Sequence, residues 1–286
     1  YPVKSELQLD HFLQAHGSSL GAFVPEWHLT FDPQNPVVVD EAAKVVNTFI
    51  PTEYMRNGKA NKKGTFPIIQ RVLDNVIGTG EVQEHFLNWL AVIIQRRVKP
   101  RTAWVLHGTQ GTGKGLIINS MIKPILGDQY LVTRMQNELK SDFSSFIEFA
   151  LVAFIDEIEV DSLETGGMLE SKLKFYITEP VVPIRRMRTD SYSVQSFTGW
   201  IFGSNKPQPV VIPRNDRRYN VGEFQKIPLT ITREEVEVKL PQELQAFTDY
   251  LMSREACLDR ASKPLLTEDR ETLMALSETS VERTAN

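Results

Sequence analysis

Residues 107–115, HGTQGTGKG, constrain the fold of this chain more than any other stretch. An apolar run with strand character precedes them at residues 103–106, and a segment with helical spacing follows at residues 115–122. A glycine-rich turn between a strand and a helix is the setting of a phosphate-binding loop. Glycines let backbone N–H groups point at a phosphate, and the helix N-terminus adds positive charge. The stretch therefore predicts a nucleotide-binding α/β domain.

The loop supplies candidate contacts for the phosphates of ATP. Lys114 carries the charge that the β- and γ-phosphates require. Gly115 stands where the usual motif has a Ser or Thr that ligates Mg²⁺. The predicted nucleotide-binding residues are Gly108, Thr109, Gln110, Gly111, Thr112, Gly113, Lys114 and Gly115.

The composition is that of a globular protein without a membrane span. The 286 residues are 41% hydrophobic and carry a formal charge of -4, so no global basic field indicates a nucleic-acid partner. No apolar run approaches the roughly 20 residues that cross a bilayer, so we expect no membrane partner. The single cysteine, Cys257, fits a reducing compartment. We therefore expect a cytoplasmic protein, in the bacterial host if the chain is phage-borne.

The pattern along the chain predicts five regions. Residues 1–36 are a linker or entry segment, and residues 37–98 form a helical collar with helices at 37–50, 66–77 and 81–98. Residues 99–232 are the P-loop domain, with alternating strands and helices that indicate a parallel sheet. Residues 233–262 are a C-terminal helical segment, and residues 263–286 are a flexible tail. In the α/β region, strands are expected at 103–106, 130–133, 150–155, 181–188, 191–197, 200–203 and 224–231, and helices at 140–148, 169–177 and 241–257.

Asp156 and Glu157 follow a continuous apolar run that is typical of a buried strand. Ligands bind at the carboxyl ends of the strands in a parallel α/β sheet. A P-loop ATPase needs one acid to hold Mg²⁺ and a second to polarise the attacking water. We assign the first role to Asp156 and the second to Glu157. Asn205, which ends the apolar segment WIFGSN, is a candidate for contacting the γ-phosphate or the water.

Two basic segments complete the candidate residues. Arg217 and Arg218 in PRNDRRY could complete the site of a neighbouring subunit, with Arg214 as a third choice. The sequence leaves this choice open, and a surface ion-pair cluster is the alternative. A predicted hairpin at residues 184–195 and the helix before it carry cations for a single-strand backbone, with a solvated edge as the alternative. The candidate DNA-binding residues are Lys172, Lys174, Arg185, Arg186 and Arg188.

The order of these motifs resembles that of superfamily three helicases. The matching segments are GTQGTGKG, FIDE, ESKLKFYITEPVVPIRRMR, FGSN and NDRRY, within roughly residues 80–224. These helicases are AAA+-related ring motors of phage, plasmid and small-virus replication proteins. The similarity is greatest to the helicase-like domain at the C-terminal end of phage primase-polymerases.

The resemblance implies an AAA+-like parallel-sheet motor with an N-terminal helical domain, with ATP and Mg²⁺ as cofactors. It implies an ATP hydrolase of the DNA helicase type in a homo-hexameric ring around single-stranded DNA, with a primase or polymerase domain attached ahead of Tyr1. The matching residues are Gly108, Gly111, Gly113 and Lys114 for Walker A, Asp156 and Glu157 for Walker B, Asn205 for the sensor, Arg217 or Arg218 for the arginine finger, and Arg188 in the channel hairpin at 182–196.

Gly115 is the departure from this pattern, because it removes one expected Mg²⁺ ligand. It favours an alternative in which the chain is a structural ring or DNA-holding clamp, with weak or no ATPase, that supports an attached primase or polymerase. A nucleotide-dependent loader or initiator shares every motif and differs only in its substrate.

Overall fold

The computed structural model describes residues 6–18, 26–60, 64–139, 144–159, 166–186 and 190–285. The chain divides into two compact units, Tyr1–Ile50 and Pro51–Asn286. The first unit contains helix α1 (Glu6–Ala15) and strands β1 (His28–Thr30), β2 (Val39–Asp40) and β3 (Val45–Asn47). Strand β3 lies in the middle of this small sheet, parallel to β1 and antiparallel to β2.

The helix predicted at residues 37–50 is wrong, because β2 and β3 form a hairpin there. Asp40 Oδ1 accepts a hydrogen bond from Ala43 N at 2.9 Å, and Lys44 adopts a left-handed φ of 54°. The segment is also rich in valine, whose stiff, branched side chain favours strands. The apolar residues of this segment have the spacing of one helical face, but the turn divides them between two short strands.

The second unit begins with α2 (Glu53–Asn57), α3 (Pro67–Val76) and α4 (Glu81–Ala91), and α4 continues into a π-helical turn at Val92–Arg96. The helices predicted at 66–77 and 81–98 are confirmed. The N–H groups of Ile68 and Ile69 each donate to Glu243 Oε2 at 3.0 Å. A carboxylate at this position satisfies the free N–H groups of the first turn and complements the helix dipole.

A five-stranded parallel sheet forms the centre of this unit. The strands in chain order are β4 (Ala103–His107), β5 (Leu131–Met135), β6 (Val152–Asp156), β7 (Val181–Ile184), β8 (Tyr192–Gln195), β9 (Gly199–Ser204) and β10 (Tyr219–Val221). Five of them pair in the order β10-β4-β9-β6-β5, all in parallel, whereas β7 and β8 form an antiparallel hairpin. The predicted α/β class and parallel sheet are confirmed.

The remaining helices connect or follow these strands. They are α5 (Lys114–Leu116), a π-helical segment at Ile117–Ile122, α6 (Lys123–Leu126), α7 (Gln136–Leu139), α8 (Gly166–Thr178), a π-helical segment at Glu235–Lys239, α9 (Leu240–Met252), α10 (Leu258–Ala261) and α11 (Glu268–Ala285). The helix predicted at 140–148 is wrong in its described part, which holds one 3₁₀ turn at Ser145–Ile147; residues 140–143 lie outside the described residues.

Both faces of the sheet are covered, because side chains point alternately to opposite sides of each strand. On one face, Trp104 meets Phe86 of α4 edge-on, with ring centroids 5.1 Å apart. On the other face, Trp200 stacks on Tyr176 of α8 at 6.0 Å. The α4 helix is therefore part of the same unit as the sheet and does not form a separate collar. In the part of the chain that the structure describes, no helix combines the length and the apolarity that a membrane crossing demands.

The flexible tail predicted at residues 263–286 is wrong over most of its length, because α11 packs on the sheet. Leu273 is 1% exposed in the core. The guanidinium of Arg270 donates to the backbone oxygens of Tyr219, at 3.0 Å, and of Asp216. Ser277 Oγ accepts a hydrogen bond from Ile212 N at 3.0 Å. The helix is polar in composition, but one narrow stripe of its side chains is buried.

Candidate functional site

Residues 108–113 turn from β4 into α5, as the sequence predicts. Gly113 caps the N-terminus of α5 with a φ of 100°, in the left-handed region where a side chain would be strained. Gly108 is restricted by close approach instead, because a Cβ atom there would lie 2.5 Å from the carbonyl oxygen of Gln225. Glycine at these two positions therefore allows the loop to adopt its path.

The ammonium group of Lys114 folds back over the loop. Its Nζ donates to the backbone oxygens of Gly108, at 2.9 Å, and Thr109, at 3.0 Å, and to Thr112 Oγ1 at 3.2 Å. Burial lowers the pKa of Lys114, and the charge of Asp156 opposes this shift. A phosphate would attract the ammonium more strongly than these carbonyl dipoles do, because it carries full negative charge. Lys114 is placed to exchange its present partners for a phosphate.

The strand order determines which predicted residues meet. Because β9 lies between β4 and β6, Asn205 at the end of β9 lies between the phosphate loop and the acids that follow β6. A cavity of about 380 Å³ at this carboxyl edge is lined by Lys114, Asp156, Glu157 and Asn205, together with other residues of the loop. The structure therefore brings these four predicted site residues together in one chain.

The acid pair has a constrained geometry. Asp156 Oδ1 accepts a hydrogen bond from Glu157 N at 3.0 Å, and Glu157 is exposed with a left-handed φ of 53°. Such a conformation costs a non-glycine residue about 1–2 kcal/mol. On the neighbouring strand, a Cβ atom at Gly203 would lie 3.0 Å from Asp156 Oδ1 and 2.8 Å from the ring of Phe154. The missing side chain at Gly203 makes room for the Asp156 carboxylate.

Gly115 is not forced to be glycine by its surroundings. It is exposed, and a Cβ atom there would meet only Asn119 Nδ2, at 3.9 Å. That distance is an ordinary van der Waals contact. The hydroxyl that the usual motif carries would therefore fit, and its absence has no explanation in the packing.

The strand predicted at residues 224–231 is wrong, and this segment, which we name the strap, lies over the phosphate loop. The strap forms a single bridge, between Gln225 and Gly108, after which Thr109 N donates to Gln225 O at 2.7 Å. Leu229 N donates to Gly111 O at 2.9 Å. No regular ladder continues beyond this bridge in the described residues.

The strap and the helix after it add an apolar side to the cavity, which sequence reasoning missed. Leu229 and Ile231 line the cavity together with Val236 of the following π-helical segment. Asn75 of α3 also holds the loop, because its Nδ2 donates to Thr112 O at 2.8 Å. These residues belong to no motif, so only the three-dimensional structure reveals them.

Arg217 and Arg218 lie at the opposite, amino edge of the sheet, immediately before β10. Arg218 pairs with Asp216, whose Oδ2 lies 3.0 Å from its Nη1. Arg217 is exposed and makes no hydrogen bond or ion pair within the described residues. A second cavity, of about 470 Å³, is lined by both arginines and by Arg101, which sequence reasoning did not single out. The geometry therefore favours Arg217 over Arg218 as the arginine that is available to a partner.

The predicted basic hairpin is present as β7 and β8, but its cations have different surroundings. Arg186 Nη2 lies 2.5 Å from Glu148 Oε2, and the hydroxyl of Tyr192 donates to Glu148 Oε1 at 2.7 Å. Arg185 is exposed just beyond β7. Arg188 lies outside the described residues. The charge of Arg186 is thus partly neutralised within the chain.

The two lysines proposed on the helix before the hairpin also have partners. Lys172 Nζ donates to Leu139 O at 2.9 Å, and Lys174 forms an ion pair with Glu170 one turn away on α8. Both side chains of this pair are half-buried, and an ion pair at this helical spacing contributes only a few tenths of a kcal/mol, so a phosphate can replace the carboxylate. The structure therefore shows no continuous row of unpaired cations along α8 within the described residues.

Lys99 fastens the base of the hairpin, and sequence reasoning missed it. It is 8% exposed, and its Nζ donates to Glu179 O at 2.6 Å and Ser196 Oγ at 3.2 Å. These two residues flank β7 and β8. Burial lowers the pKa of Lys99 to about 7, while the charge of Glu179 opposes the shift. Because Lys99 precedes β4, it joins the hairpin to the strand that carries the phosphate loop.

Comparisons with known proteins match this central region. Residues 106–218 match a family described as a family of unknown function, DUF5906. This segment runs from the end of β4 to the residue before β10 and includes the phosphate loop, the acid pair and Asn205. The chain is also similar to the DNA primase-polymerase of Nitratiruptor phage NrS-1, with 28% identity over 229 residues, or 79% of this chain. It spans 32% of the length of that protein.

Solved structures of the NrS-1 C-terminal region have the same arrangement. One apo structure gives a TM-score of 0.83 at 24% identity, covering 95% of this chain and 66% of that one. The chain shares that fold. Two A-form apo structures of the region give TM-scores of 0.82 and 0.79, each at 24% identity and covering 96% of this chain and 66% of the other.

Proposed function

We propose that this chain is the ATP-driven ring helicase module of a phage or plasmid replication protein of the primase-polymerase type. The observation that carries the proposal is the carboxyl-edge cavity, where Lys114, Asp156 and Asn205 meet. A cation, an acid and an amide beside a P-loop are the groups that phosphoryl transfer from a nucleotide uses. The similarity to a phage DNA primase-polymerase supports a role in DNA replication.

The residues in the cavity fit a magnesium nucleotide. The loop and Lys114 offer N–H groups and a cation for the phosphates, and the Asp156 carboxylate is the type of oxygen ligand that Mg²⁺ prefers. Bound Mg²⁺ supplies positive charge against the charge that develops on the transferred phosphoryl group. Glu157 polarises the attacking water, and Asn205 orients that water or the γ-phosphate.

The placement of the two cavities supports the proposed ring. The phosphate loop lies at the carboxyl edge of the sheet, and Arg217 lies at the amino edge. A head-to-tail contact between copies brings one edge against the other, and such a contact closes into a ring when the rotation allows it. We infer a homo-hexamer in which Arg217 of one copy stabilises the transition state in the next.

Single-stranded DNA is the proposed track, and the β7–β8 hairpin is the element that contacts it. Thr178, Glu179 and Pro180 at the base of the hairpin line the same amino-edge cavity as Arg217. Hydrolysis in the neighbouring copy would therefore act next to the base of the hairpin and move it along the strand. We further propose an attached primase or polymerase domain and a site of action in the host cytoplasm.

Complementation between two inactive variants tests the shared site. Lys114→Ala disables the loop but leaves the arginine, and Arg217→Ala does the reverse. In a mixed ring, about a quarter of the interfaces combine an intact loop with an intact arginine. We expect the mixture to regain DNA-stimulated ATP hydrolysis that neither variant shows alone. A double variant, Lys114→Ala with Arg217→Ala, mixed with Arg217→Ala is the matched control: half of its copies have an intact loop but none supplies the arginine, so it should stay inactive. Recovery in the control, or none in the test, contradicts a shared site.

Gly115 favours a second candidate function, a structural ring or DNA-holding clamp that supports the attached domain with little ATPase activity. The two candidates differ in turnover and agree on the fold. If wild-type chain shows no DNA-stimulated hydrolysis and Lys114→Ala leaves DNA retention unchanged, the clamp is supported and the motor is rejected.

A further inference from the structure

The carboxyl-edge cavity has two chemically different sides. Its polar side chains belong to the phosphate loop, the acid pair and Asn205, all of which are suited to the triphosphate and its metal. The remaining side chains assigned to its lining are aliphatic, namely Leu116, Leu229, Ile231 and Val236. The part of the cavity that is left for a nucleotide base is therefore walled by hydrocarbon.

Several polar groups beside this wall in the chain have partners of their own. The backbone N–H and the hydroxyl of Thr232 donate to Glu235 Oε2 at 2.8 and 3.1 Å. Arg71 Nη2 donates to the other oxygen of Glu235 at 2.7 Å. These contacts lower the pKa of Glu235 to about 2, so it is ionised at neutral pH. The N–H of Leu229 is occupied by Gly111 O at 2.9 Å. The Thr232 hydroxyl and the Leu229 N–H are therefore engaged within the chain, and the Glu235 carboxylate is shared between Thr232 and Arg71.

We propose that this cavity recognises a nucleotide base only by the size and flatness of the base. The chain would therefore bind nucleoside triphosphates of any base. The inference rests on the proposed function, because it takes the loop as the triphosphate site. A hydrophobic site discriminates weakly between ligands that differ in polar groups, whereas strong discrimination needs a buried polar partner that is left unpaired by the wrong ligand.

The dimensions and the openness of the cavity support this. A volume of about 380 Å³ lies within the range of small-ligand sites, and the cavity is open to solvent. In a single copy, the polar edge of a base can therefore stay hydrated while its face packs on Ile231 and Val236. Hydrated polar groups carry no penalty for lacking a protein partner.

Competition binding measures the selectivity directly. The wild-type chain is loaded with an ATP analogue that carries a fluorophore on its ribose, and ATP, GTP, CTP, UTP and inorganic tripolyphosphate are titrated as competitors. We expect ATP and GTP to agree within about threefold, and the smaller pyrimidine nucleotides to bind about fivefold more weakly because they bury less area. Tripolyphosphate should compete least well.

A pair of valine variants separates the wall from the loop. Val236→Ala should weaken all four nucleotides by about fivefold and leave tripolyphosphate unchanged, because it removes two methyl groups from the base side only. Val238→Ala is the matched control, since Val238 is 52% exposed on the same helical segment and does not line the cavity. Equal effects of the two variants contradict the assignment of the wall.

The outcomes distinguish this inference from the proposed function. A preference of about a hundredfold or more for one base overturns the inference and leaves the nucleotide site intact, because such a ratio needs a polar reader. Failure of every competitor, including tripolyphosphate, to displace the analogue, or retention of binding by Lys114→Ala, overturns both.

Discussion

Replacing Lys99 by methionine should flatten the dependence of stability on pH. Burial lowers the pKa of Lys99 from 10.5 to about 7. Between those values the unfolded chain binds a proton that the folded chain does not, so stability rises with pH and is lost as the pH falls through about 7. Each pH unit in this window contributes about 1.4 kcal/mol, and the whole window about 5 kcal/mol.

Urea unfolding of the wild type and of Lys99→Met at about pH 7.5, 8.5 and 9.5 tests this value. The difference in the free energy of unfolding between the two proteins should change by about 2.5 kcal/mol across the series, in favour of the wild type as the pH rises. Taking the difference removes the contribution of every other titrating group. Lys239→Met is the control, because the side chain of Lys239 is 52% exposed. Parallel profiles for wild type and Lys99→Met would refute the buried-lysine argument.

Three further substitutions test the site and the last helix. Gly115→Ser should increase Mg²⁺-dependent nucleotide affinity by about tenfold, because the hydroxyl adds one charge-assisted contact. Gly115→Ala should add only about 1 kcal/mol of helix stability. Equal nucleotide affinities of the two variants in a binding titration would show that the hydroxyl does not contribute to binding. Gly203→Ala should lower the free energy of unfolding by about 2 kcal/mol, because the added methyl group overpacks against Phe154. It should also weaken Mg²⁺-dependent nucleotide binding, because Asp156 must shift. Thermal unfolding checks the first effect and the binding titration checks the second. Leu273→Ala should lower the free energy of unfolding by about 3 kcal/mol in urea, and a change below about 0.5 kcal/mol would mean that α11 does not pack on the sheet.

The motif residues could be found from the sequence because each one follows an apolar strand. Asp156 ends β6 and Asn205 follows β9, and the carboxyl ends of parallel strands share one edge of a sheet. Recognising the strands was therefore enough to predict that these residues lie near Lys114. The order of the strands was not predictable, since it depends on how the crossovers pack and leaves no trace in local periodicity.

The errors fall where local pattern and tertiary context disagree. Val39 and Val46 satisfy helical spacing, but a turn at Asp40 pairs them across a hairpin. In α11, polar residues surround one buried stripe, so composition indicated a loose tail although Arg270 and Leu273 are almost fully buried. In the first place a local turn outweighs the helical spacing, and in the second a few long-range contacts outweigh the polar composition.

The choice between the two arginines could not be made from the sequence, because both follow Asp216 and either could pair with it. The structure shows that Arg218 forms this pair and that Arg217 is exposed. Lys99 is a similar case. A lysine is expected at the surface, and only the fold encloses this one beneath the hairpin.

Because β9 lies between β4 and β6, the sheet fixes the distance between the two sides of the site. Two inter-strand spacings of about 4.8 Å separate the strand that ends in the phosphate loop from the strand that ends in Asp156. Backbone hydrogen bonds set this width, so exchanging side chains adjusts what is presented at each end and leaves the distance unchanged. A ligand that contacts both the loop and Asp156 must therefore fit a width of roughly 10 Å. Because the sheet itself cannot close, motion on binding has to come from the strap or the hairpin, or from a neighbouring copy in the proposed ring.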